Sequence, residues 1–179
     1  MTSAATPRRW WVALTATAVL LLAGCSSPAG DQVDGATSTS SAGPATTTDP
    51  SQAILSAYRA FWADVIEAGK TADWQSPRLD DHAIDRALAN VRRDYQRLQA
   101  NGEVVRGTVR LHPSVVSVQG TTAVVRDCND ATDFLRYDAK TGVPKEQRKT
   151  DIAEAEVTLR LVNGTWLVSE TVVKQPCKP

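Results

Sequence analysis

Histidine, cysteine and net charge are all scarce in this sequence. Two His and three Cys stand among 179 residues, and 20 basic side chains balance 20 acidic ones. Without a basic excess there is no electrostatic footprint for nucleic acid. Three cysteines are too few for a disulfide scaffold, and two histidines are too few for a histidine-rich metal site. No Gly-rich phosphate loop, His-Glu-x-x-His or Gly-x-Ser-x-Gly occurs, so the nucleotide, zincin and hydrolase signatures are missing. Cys-x-x-Cys is missing too, and no cofactor is expected. What remains is 42% apolar and 22% charged residues, the composition of an ordinary globular domain.

The first 25 residues read as an address. Arg8 and Arg9 precede an uncharged run over 10–23, the basic and apolar parts of an export signal. Fourteen residues fall short of the roughly 20 that a membrane-spanning helix needs. The run ends in Leu22-Ala23-Gly24-Cys25, which resembles the bacterial lipobox. That resemblance implies a signal peptide over 1–24 and lipidation of Cys25, hence an anchor on the outer face of the cell membrane. The arginine pair also fits a twin-arginine export signal loosely; general secretion is the simpler route. Loss of residues 1–24 removes Arg8 and Arg9 and leaves 18 basic against 20 acidic side chains. Attachment then rests on acyl chains and not on a basic patch.

Residues 25–48 read as the lipidated cysteine and a tether. Of the 23 residues over 26–48, 19 are Ser, Thr, Ala, Gly or Pro, which cannot bury enough apolar area to offset ordering entropy. A domain is expected over 49–179. Asp49-Pro50 with Gln52 makes a helix start. Ile54, Tyr58, Phe61, Trp62, Val65 and Ile66 then repeat at helical spacing up to Gly69. A short segment around Trp74 leads to a second cap at Asp80-Asp81. Ile84, Leu88, Val91, Tyr95 and Leu98 follow, closed by Asn101-Gly102.

Beyond Gly102 the period drops to two. The spacing predicts a long strand over 104–118, bent near Pro113, then strands over 122–126, 133–138, 152–162 and 166–173. Asn163-Gly164 is the strongest short hairpin signal. Helices first and then about five antiparallel strands imply an α+β fold, with amphipathic helices on a curved sheet. With Cys25 lipidated, Cys128 and Cys177 remain as one pair outside the cytoplasm. They are expected to form a disulfide closing a loop of about 50 residues.

Four segments carry a family resemblance: Ala57-Tyr58-Arg59-Ala60-Phe61-Trp62, Gly107 with Leu111-His112-Pro113, Val125-Arg126-Asp127-Cys128, and Gly164-Thr165-Trp166-Leu167-Val168. They resemble a group of actinobacterial secreted lipoproteins of the NTF2-like, cone-shaped α+β superfamily. The likeness covers about residues 50–179, most strongly 103–177. It implies a fold and not an activity, since that superfamily holds isomerases, dehydratases, epoxide hydrolases and members without catalysis.

Two carboxylates are candidates for chemistry. An uninterrupted Asn163-Gly164 hairpin pairs Leu161 with Trp166, Leu159 with Val168, Val157 with Glu170 and Ala155 with Val172. Glu170 then falls on an apolar face, and Asp127 shares a face with Ala123 and Val125. Such carboxylates, with Tyr58 or Tyr95 as donors, could serve a general base role. The alternative is that Glu170 pairs with an arginine, or that a bulge turns it outward. His112 reads as a solvated or capping residue and His82 as a surface one. Asp127, Asn129, Asp130 and Asp133 read as an Asx-rich turn, because Ala131 interrupts the calcium-loop template. The resulting reading is a lipid-anchored envelope protein with a non-catalytic binding or accessory domain. Its partner is an envelope protein or an apolar small molecule. The alternatives are a small-molecule or lipid-binding cone and an isomerase- or hydrolase-like enzyme.

Overall fold

Asp49 opens the first helix by accepting the Ser51 N–H at 2.9 Å, with Pro50 in the first helical position. This Asx cap fixes where α1 (Pro50–Gly69) begins in the computed structural model, which describes residues 49–145 and 152–178. The export segment, Cys25, the tether and most of the polar loop after Lys145 lie outside the described residues. Helix α1 buries Ile54, Tyr58, Phe61 and Val65 along one stripe.

The second helical region is divided. Asp80 and Asp81 do not cap a long helix; they lie within a short helix, α2 (Arg78–His82), and α3 runs over Asp85–Ala100. The break has a tertiary cause. Ala83 bridges to Val168 in parallel, and the Ile84 N–H donates to the Val168 carbonyl at 2.8 Å. Those two residues are used as a sheet edge and cannot be helical.

Among the described residues, six strands form two antiparallel sheets. The four-stranded sheet has the order β2 (Pro113–Gln119), β3 (Thr122–Asp130), β5 (Ile152–Val162), β6 (Thr165–Pro176). A two-stranded ribbon pairs β1 (Glu103–Gly107) with β4 (Phe134–Asp138). The long strand expected over 104–118 is therefore two strands in different sheets. Gly107 makes the separation, with φ at +112° and Asp133 packed against its backbone. The α+β class stands, with the helices packed on the inner face of the larger sheet.

That inner face carries Ala123, Val125 and Asp127 of β3, Ala155, Val157 and Leu159 of β5, and Trp166 and Val168 of β6, all buried. Leu159, Val125, Val157 and Val168 are at most 1% exposed, each contributing about 1.5–3 kcal/mol over an exposed position. The outer face is mixed. Ser114, Arg126, Glu156 and Val172 lie in one row across the sheet, and Arg126–Glu154 and Lys174–Glu156 form ion pairs there. Cys128 and Cys177 are joined by a disulfide, with Cα atoms 6.0 Å apart.

Candidate functional site

Where α1 and α3 splay over the inner face, a cavity of about 300 Å³ opens. Phe61, Trp62 and Val65 of α1, Val91 of α3, Phe134 of β4 and Val157 of β5 make most of its wall. Its polar groups are few. Tyr58, Tyr95, Asn90, Asp94, Asn129 and Thr171 border it, and most are engaged elsewhere. The Tyr95 hydroxyl donates to the Val65 carbonyl. Asp94 pairs with Arg97, and the Asn90 oxygen accepts from Arg93.

Asp127 stands behind this wall, fully buried. Its Oδ2 accepts from the Tyr58 hydroxyl at 2.8 Å and its Oδ1 from the His112 backbone N–H at 2.6 Å. Trp62 Nε1 in turn donates to the Tyr58 oxygen at 2.9 Å. The order Trp62, Tyr58, Asp127 is built by helical spacing, since Tyr58 and Trp62 are four residues apart on one stripe. Burial, and then the neighbouring Asp127 charge, push the Tyr58 phenol far above its ordinary range. Burial, and then Asp94, raise Tyr95 likewise. Both phenols are neutral donors at any working pH. Asp127 is thus committed to two protein donors, and the tyrosine ring separates it from the cavity.

Glu170 corrects the expected register. A bulge between Thr158 and Leu159 shifts β5 against β6, so Glu170 faces Thr158 and Thr171 faces Val157. The cavity receives Thr171, while Glu170 turns outward and bonds Arg86 at 2.8 Å. The two carboxylates are on opposite faces of the sheet. Nothing in the spacing of residues 163–173 signals the bulge, because alternation is kept on either side of it.

The histidines also differ in detail. His112 caps Asp127 through its backbone and sets Nδ1 3.1 Å from the Cys128 carbonyl. His82 is half-buried, with Nδ1 on the buried carboxylate of Asp64. The Asx turn is present: Asp130 accepts the Thr132 N–H and pairs with Arg110, which also reaches Asp133. Thr132 and then Arg110 hold the Asp130 carboxyl below its usual range. Among the described residues no group of three or more His, Cys, Asp or Glu side chains could hold a metal. None of their helices is long and apolar enough to cross a membrane.

No protein-family model matches the chain, and no curated protein does. Several solved structures are similar in fold. A Novosphingobium aromaticivorans protein named as an aromatic ring hydroxylase aligns at TM-score 0.50 and 15% identity, over 71% of this chain and 89% of its own. The intermembrane-space region of the chloroplast protein ARC6 aligns at 0.48 and 14%, over 72% and 98%. A Streptomyces avermitilis protein named as a dehydratase of the NTF2-like family aligns at 0.44 and 18%, over 72% and 97%. At these identities the likeness concerns the fold alone.

Proposed function

We propose that this chain is a lipoprotein on the outer face of the cell membrane, anchored through Cys25, whose domain binds a small apolar molecule without transforming it. The cavity between α1, α3 and the sheet carries the binding half of this reading. A void of about 300 Å³ with mostly aromatic and aliphatic walls falls at the small end of ligand sites. At roughly 30 Å³ per water-sized group it takes about ten methylene-sized groups.

The disposition of the carboxylates supports binding over catalysis. A general base must reach its proton within hydrogen-bond distance or through one water. Asp127 is occupied by Tyr58 and His112, and Glu170 lies on the other face. The outer sheet face carries the ion pairs Arg126–Glu154 and Lys174–Glu156, which favours a small ligand over an envelope protein docked there. The anchor rests on Leu22-Ala23-Gly24-Cys25 and the tether composition.

Native mass spectrometry of the detergent-extracted full-length protein tests both halves. The expected mass is that of residues 25–179 plus acyl groups, with an added small molecule released by mild activation. A chain that keeps residues 1–24 and carries no acyl group overturns the anchor. A Val91→Phe variant that folds and keeps the same adduct overturns the cavity, because phenylalanine there fills part of it.

A further inference from the structure

Among the described residues, two polar side chains of the inner face border the apolar cavity and can offer a hydrogen bond to a guest, Asn129 of β3 and Thr171 of β6. Of the two, only the Asn129 amide has two donors as well as an acceptor. Asn129 follows Asp127 by two residues on β3, so both lie on the inner face. Asn129 borders the cavity, and Asp127 stands behind the wall. The Tyr58 hydroxyl spends its proton on Asp127 and one lone pair on Trp62. The Asn129 amide nearby works against burial and slightly favours the ionised phenol. An amide carries two N–H donors and an oxygen with two lone pairs. Even with one donor turned toward Tyr58, the other donor and the oxygen can serve a guest.

The electrostatic setting narrows the guest further. Asp94 is the one charged residue on the cavity wall among the described residues, and its partner is Arg97. The Asp127 charge lies a single tyrosine hydroxyl away. No cationic side chain borders the space among the described residues. A carboxylate entering it would lose hydration and meet only negative or neutral groups. An uncharged carbonyl or hydroxyl on an apolar body has neither cost.

Building on the proposed binding function, we infer that Asn129 is the specificity-determining residue of the cavity. It selects a neutral guest of about ten to twelve non-hydrogen atoms bearing one carbonyl or hydroxyl.

Three probes of nearly equal size separate the possibilities: 4-phenylbutan-2-one, 3-phenylpropanoate and butylbenzene. Their affinities for the full-length protein are read by ligand-observed NMR at pH 7. The ketone is expected to bind at least ten-fold more tightly than the carboxylate. Asn129→Leu, similar in size, is expected to weaken the ketone about five-fold, the worth of one neutral hydrogen bond, and to leave butylbenzene within two-fold. Asn129→Ser provides the same comparison if the leucine variant does not fold. A carboxylate that binds as tightly as the ketone overturns the selectivity. A ketone affinity unmoved by either folded variant overturns the role of Asn129. If butylbenzene binds while these differences are missing, the cavity reading survives alone. Failure of all three probes overturns both.

Discussion

The Tyr58 hydroxyl and the Asp127 carboxylate meet at 2.8 Å although 69 residues separate them, joining the first helix to the third strand. Both are buried, and each has a second partner, Trp62 for the tyrosine and His112 for the aspartate. The bond thereby holds Tyr58, a residue of the cavity wall, against the buried Asp127. Tyr58→Phe removes it and strands a carboxylate oxygen and the Trp62 N–H. The expected cost is about 1–3 kcal/mol, read as a lower urea midpoint with an unchanged slope. A loss below about 0.5 kcal/mol would mean that water replaces the hydroxyl.

Gly107 ends β1 at φ +112°, and a Cβ there would lie 1.8 Å from the Asp133 carbonyl oxygen. Gly107→Ala combines a backbone conformation closed to L side chains with a clash against main chain. It is expected to destabilise the fold by at least about 2 kcal/mol. Gly102→Ala is the control. Its φ is also positive, at +66°, but nothing lies within 4 Å of the added carbon. Thermal unfolding of both variants separates strain from collision.

Asp138 ends β4 and accepts the Thr141 and Lys140 backbone N–H groups and the Thr141 hydroxyl. The Thr141 backbone bond first, then its hydroxyl, lower the Asp138 carboxyl to about 2. A folded value below the unfolded one stabilises at pH above the usual carboxylate range. The contribution fades as pH falls from about 4 to about 2. The slope of stability against pH in that window is expected to be shallower in Asp138→Asn, measured by urea unfolding at stepped pH. An unchanged slope would assign the acid sensitivity to other carboxylates, Asp130 first.

Local signals carried much of the fold. Asp49-Pro50 and the stripe from Ile54 to Val65 set α1, and Asn163-Gly164 set the β5–β6 turn, because both depend on neighbours in sequence. The features that required distant contacts were hidden. Ala83 and Ile84 read as helix until Val168 engages them. Residues 104–118 read as one strand until Asp133 packs on Gly107. For the site, burial of Asp127 followed from Ala123 and Val125 on the same face. The outward turn of Glu170 comes from a bulge with no sequence mark, leaving Asp127 as the one of the two candidate carboxylates on the inner face. Asn129 reads as part of an Asx-rich turn, although its parity with Asp127 places it on the inner face.

The bond between Cys128 and Cys177 fastens the tail of the last strand beside Asn129, a position next to one of its own half-cystines. Such bonds persist in oxidising compartments and are kept reduced where glutathione prevails. A chain kept reduced would therefore lose the tie between the end of β3 and the tail beyond β6, while pairing with β5 alone would hold Thr171 and Val173 at the cavity. The redox poise of the surroundings thus bears on how firmly the carboxyl-terminal end is fixed beside the residues that border the cavity.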